Sequence, residues 1–177
     1  MAKKSNKLSL DFSCPTAVVG IACVKAFYEL AHHINKKLGI SLARRDDVIQ
    51  SYSAYSGGGN SSTQVNLFSS TSQDDMAQNE IAHPLYFYED DERKMGILLI
   101  QNTVNGSSII GKAKKCDYLF ILNNVIGDDI SKYITALSEI SCINATILLD
   151  EKKIPNLRDI FDDLETYIIE QNRKKNE

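Results

Sequence analysis

Apolar residues alternate with polar ones in some stretches of this chain and recur at helical spacing in others. Residues 118–122, Tyr-Leu-Phe-Ile-Leu, are apolar at every position. As a strand they place Leu119 and Ile121 on one side and Tyr118, Phe120 and Leu122 on the other, so both faces need cover. Asp117 stands at the entrance of that strand. A carboxylate there must stay hydrated, pair with a cation or accept backbone donors. Residues 84–89 and 94–103 read as two more strands around the charged turn 89–93, an antiparallel hairpin. Residues 7–13, with Leu8, Leu10 and Phe12 on one face, together with 48–55, 63–69 and 143–149, supply the remaining strand patterns.

Helical spacing predicts a first helix over 17–38, with Thr16 as its cap. Its stripe is Val24, Phe27, Tyr28, Ala31, Ile34 and Leu38, and Gly39 ends it. Asp128 and Asp129 open a second helix, whose stripe is Ile130, Tyr133, Ile134, Leu137 and Ile140. A third begins near Asn156 with Leu157, Ile160, Phe161, Leu164, Tyr167 and Ile168. Its early acids and the closing Arg173, Lys174 and Lys175 suit the helix dipole. Asn105-Gly106 signals a turn, and 107–115 has room for one helical turn. Strands and helices do not alternate regularly. The expectation is one α+β domain over 1–177, with a mixed or antiparallel sheet of about six or seven strands and three long helices. The core would span 7–150, and 155–177 would form a C-terminal helical extension.

Composition narrows the function classes. The chain has 177 residues, 43% hydrophobic and 24% charged, which suits a globular chain able to bury one core. A formal net charge of -3 gives no global attraction to nucleic acid or an anionic membrane. The longest fully aliphatic run, 97–100, is too short to cross a bilayer. The basic start is followed by a stretch containing Asp11 rather than by the apolar segment of a signal peptide. Cys14, Cys23, Cys116 and Cys142 form no CxxC pair and have no histidine at metal spacing, so they read as reduced, buried thiols. The expected location is cytoplasmic, without membrane insertion.

Patterns that carry chemistry are few. His32 and His33 are adjacent, so on a helix they point about 100° apart and do not chelate one ion together. His83 stands alone before Pro84. The glycine run in 56–62 is followed by no Gly-Lys-Ser/Thr signature and reads as a hairpin loop, with a second loop over 70–79. Five tandem aspartate pairs sit in turns or at helix starts, where aspartate caps and solubilises. No nucleophile–base pattern, metal set or cofactor fingerprint is legible, so no cofactor is expected. Lys112, Lys114 and Lys115 lack the interleaved aromatics of a nucleic-acid surface, and binding to nucleic acid is not expected.

Several of these residues fall into a family pattern. Residues 8–11 (Leu-Ser-Leu-Asp), Gly20-Ile21, 28–30 (Tyr-Glu-Leu), Ile34-Asn35, Leu38, Leu42, Arg44, Asp47, Tyr86, Tyr88 and 99–102 (Leu-Ile-Gln-Asn) lead to 110–118. That last stretch begins Ile-Gly-Lys and ends Cys-Asp-Tyr. Over about 7–150 the chain resembles the IPExxxVDY family of Bacteroidetes, small proteins of uncharacterised function. Spacing and the Asp-Tyr pair agree with the naming motif. Gly111 and Lys112 replace its Pro and Glu, and Cys116 replaces its Val. The resemblance, together with the residues' own chemistry, marks Asp117, Tyr118, Arg44, Asp47, Asn102, Tyr86 and Tyr88 as candidate partner or ligand contacts.

Physical roles for some of them can be stated from sequence. Arg44 with Asp117, or Asp47 with a lysine, would pin the first helix's exit to the central strand. Asn102 would satisfy backbone groups where its strand ends. The leading functional expectation is a non-catalytic interaction or accessory protein with a protein partner or self-association. A small-ligand or acyl-chain binding protein with a pocket near Tyr86, Tyr88, Asp117 and Tyr118 is the alternative. An RNA-associated factor using Lys112, Lys114, Lys115 and residues 173–175 is the third.

Overall fold

Residues 16–23, Thr-Ala-Val-Val-Gly-Ile-Ala-Cys, form a strand and not the first half of a helix. A short apolar run fits a buried strand and a buried helix equally by periodicity. Here β-branched Val18, Val19 and Ile21, with Gly20 between them, favour the strand. The computed structural model describes residues 16–52, 79–90, 92–125, 127–150 and 166. The elements are β1 (Thr16–Cys23), α1 (Phe27–Leu38), β2 (Ala43–Tyr52), β3 (Asn79–Asp90), β4 (Met95–Gln101), β5 (Thr103–Val104), β6 (Ser107–Ser108), β7 (Tyr118–Asn123), α2 (Gly127–Ser138) and β8 (Ile143–Leu149). A single 3-10 turn, Gly111–Ala113, fills the expected place between β6 and β7. The class is α+β, as the pattern indicates. Two α-helices, not three long ones, lie among the described residues, and α1 is shorter than expected because its first part is β1. The expected strands over 7–13 and 63–69 fall outside the described residues, as does the helix beginning near Asn156 apart from residue 166, which is helical.

Six strands form one sheet in the order β2-β3-β4-β7-β1-β8, and every pairing in it is antiparallel. The hairpin read from 84–103 pairs Leu85 with Ile100 and Asp90 with Met95. β7 lies between β4 and β1, with Phe120 opposite both Leu99 and Val19. Its two faces separate as the alternation requires. Tyr118, Phe120 and Leu122 join Val19, Ile21, Ile97 and Leu99 beneath Leu30, Ala31 and Ile34 of α1 and Leu137 of α2. Leu119 and Ile121 join Val18, Leu85, Phe87, Leu98 and Ile100 on the opposite face, where Ile109, Ile110, Ala113 and Cys116 pack against them.

Local chemistry sets the element ends. Gly39 closes α1 at φ 66°, and its N–H donates to the Asn35 carbonyl at 2.9 Å. That left-handed position is one glycine occupies without penalty. Asn105 and Gly106 have φ 50° and 82° and join β5 to β6, the double positive-φ turn that an Asn-Gly pair favours. Val24 does not belong to the helical stripe: it is 81% exposed, as Tyr28 is at 66%.

Gly20 lets the segment before β7 approach β1. A Cβ on Gly20 would lie 2.4 Å from Cys116 Sγ and 3.2 Å from Cys116 Cβ. Gly20→Ala should therefore destabilise the fold by about 1–3 kcal/mol through overpacking. Adding Cys116→Ala should recover part of that loss. Urea denaturation of the two single variants and the double variant measures the coupling.

Candidate functional site

The chain leaves β4 at Asn102, makes the β5–β6 hairpin and the 3-10 turn, and enters β7 after Asp117. Asn102 closes this excursion. It is fully buried, and its side-chain amide donates to the carbonyls of Ala113 at 2.9 Å and Cys116 at 2.8 Å. Its Oδ1 accepts the Ile110 N–H at 3.1 Å. Its main chain adds two bonds, donating to the Asp117 carbonyl and accepting from the Ile109 N–H. The segment 110–118 is thus folded around one asparagine, the role its position at a strand end implied.

Asp117 is exposed, and its Oδ2 accepts the Cys23 N–H at 2.9 Å, tying the entrance of β7 to the end of β1. Of the three states open to a carboxylate at a strand mouth, the backbone-acceptor state is present. Tyr118 turns under α1, and its hydroxyl donates to the Lys25 carbonyl at 2.8 Å. The expected Arg44–Asp117 pair is replaced by a local one, because β2 carries a bulge. Arg45 pairs with Leu85 and Val48 with His83, so one extra residue is accommodated on β2. Arg44 straps this bulge: its guanidinium donates to Asp47 and to the carbonyls of Arg45 and Leu85. Asp47 forms an ion pair with this arginine.

A row of rings joins the two groups. Arg44 lies over the Tyr86 ring at 5.9 Å, Phe27 meets Tyr86 edge-on at 5.0 Å, and Phe27 stacks on Tyr118 at 5.4 Å. Arg44, Asp47, Tyr86, Tyr118, Asp117 and Asn102 therefore belong to one connected end of the sheet. Tyr88 packs partly buried against the same core but is not in the ring row. Phe27 was legible only as a helix-stripe residue; its position just after the strand-to-helix turn is the signal that could have marked it as the link.

Burial acts on the titratable groups at this end of the sheet. Burial raises the thiols of Cys23 and Cys116, and the Asp117 charge raises them further. Burial likewise raises the Tyr118 hydroxyl. A nucleophilic cysteine needs the opposite shift, toward thiolate. Cys23, Cys116 and Cys142 are free and buried. Among the described residues, no group of three or more His, Cys, Asp or Glu could hold a metal ion.

His83 is also buried, and its Nδ1 donates to the Gln101 carbonyl at 2.8 Å. Burial lowers its pKa below the ordinary 6.5, with the Gln101 bond and the Asp47 charge opposing. The unfolded chain therefore takes up this proton first as pH falls. Stability from His83 should be complete above about pH 6.5 and decline as pH drops from there toward the folded value. Denaturant midpoints measured down a pH series check this, and His83→Gln should flatten the slope in that window.

Comparison with protein-family models, curated proteins and solved structures found no match for this chain.

Proposed function

We propose that this protein acts by holding another polypeptide and not by turning over a substrate. The supporting observation is where the candidate residues spend their polar atoms. Asn102, Asp117 and Tyr118 bond to main-chain atoms of their own fold, and Arg44 to main-chain atoms and Asp47. A catalytic set instead directs such groups at a space where a reacting atom can sit. Phe27 packs between Tyr86 and Tyr118, where a small-ligand pocket would need room. Lys112, Lys114 and Lys115 are exposed on the 3-10 turn and just after it, but the stacked rings lie on the other side of the sheet, away from them. A partner would meet the exposed Val24 and Tyr28, which flank the Cys23–Asp117 bond and the start of α1.

Quantitative affinity purification from the native cell tests the reading. Wild-type bait should retain a partner that Val24→Glu/Tyr28→Glu bait loses. Identical recoveries, or bait alone in both, would count against it.

A further inference from the structure

The two edges of the sheet described here differ in their protection. β2 carries Arg44, Arg45, Asp46 and Asp47 around a bulge, which discourages pairing with another strand. β8, Ile-Asn-Ala-Thr-Ile-Leu-Leu, has no charge, no proline and no glycine, and its own bulge, at Asn144, is confined to its start. Its pairing partner among the described residues is β1 alone. Ile147 and Leu148 are 51% and 53% exposed, on opposite faces of the strand.

β8 is also complementary to itself. Antiparallel pairing about a two-fold axis at Thr146 sets Ile147 opposite Ala145 and Thr146 opposite its own copy, within the part of β8 that pairs regularly with β1. Exposed Ile147 then meets exposed Ala145. The central Thr–Thr pair is a favourable cross-strand pair, and no like charges meet. We infer that β8 pairs with β8 of a second copy of this chain, making one sheet continuous across two protomers. The inference rests on the interaction reading above but concerns a different edge of the molecule and can fail separately from it.

Sedimentation of the full chain over a concentration series tests it. The wild-type protein should show a reversible dimer. Ile147→Lys should weaken the dimer by about tenfold or more, with unchanged circular dichroism, because a lysine on an edge strand opposes pairing. Ala145→Glu, placed opposite residue 147 in this register, should form a heterodimer when mixed with Ile147→Lys. Three outcomes overturn the inference: a wild-type monomer at all concentrations, a dimer untouched by Ile147→Lys, or no heterodimer on mixing. A wild-type monomer that becomes dimeric only when residues 1–14 are removed would assign the edge to the chain's own N-terminal segment, and would equally overturn it. A monomer that still retains a foreign partner leaves the proposed function standing. A dimer whose retention of other proteins is unaffected by Val24→Glu/Tyr28→Glu removes that function and not this contact.

Discussion

Replacing Asn102 by alanine should cost about 3–5 kcal/mol, among the largest single losses available to this fold. The substitution removes the Asn102 side-chain partner of the Cys116 carbonyl and the Ile110 N–H and one of the two donors to the Ala113 carbonyl, which keeps the Cys116 N–H, in a site with no solvent access. Each buried group left unpaired costs about 1–3 kcal/mol. For a chain of this size that corresponds to a fall in Tm of about 10 °C or more. Asn102→Asp should be no milder near neutral pH, since it keeps the acceptor, loses the amide donor and buries a charge. Its deficit should shrink in acid, where the carboxyl becomes protonated. Thermal and urea unfolding of both variants over pH would check the expectation.

The second large effect concerns Phe120. It has no exposed surface and is flanked by Val19 and Leu99, with the Tyr133 ring 6.3 Å away. Phe120→Ala should lower stability by about 3–5 kcal/mol through lost transfer energy and the cavity left behind. Ile147→Ala, on the exposed edge, should stay within about 0.5 kcal/mol under conditions where the chain is monomeric. Urea midpoints should separate the two by most of that difference, at similar slope.

The two-faced strand, the 84–103 hairpin, the Asn-Gly turn, the Gly39 stop and the strand over 143–149 were legible because each has a local physical cause. The strand at 16–23 was not, because its apolar run continues into a helical stripe and a single periodicity spans both. Asn102's role could be read from its place at a strand end. Its partners could not, since Ala113 and Cys116 come near only once the hairpin folds back. The Arg44–Asp117 expectation failed for a related reason: opposite charges in sequence do not reveal a bulge, and the bulge brings Asp47 to Arg44 first.

The central claim is that the polar side chains of Asn102 and Asp117 hold backbone in place. Native-state hydrogen exchange at Ile110 and Cys23 tests it most directly, because their N–H groups donate to Asn102 Oδ1 and Asp117 Oδ2. Both amides should be protected to the same free energy as Phe120 in the sheet centre, opening only when the whole domain unfolds. Exchange at both positions as fast as at the exposed Gly106, with Phe120 still protected, would contradict the account.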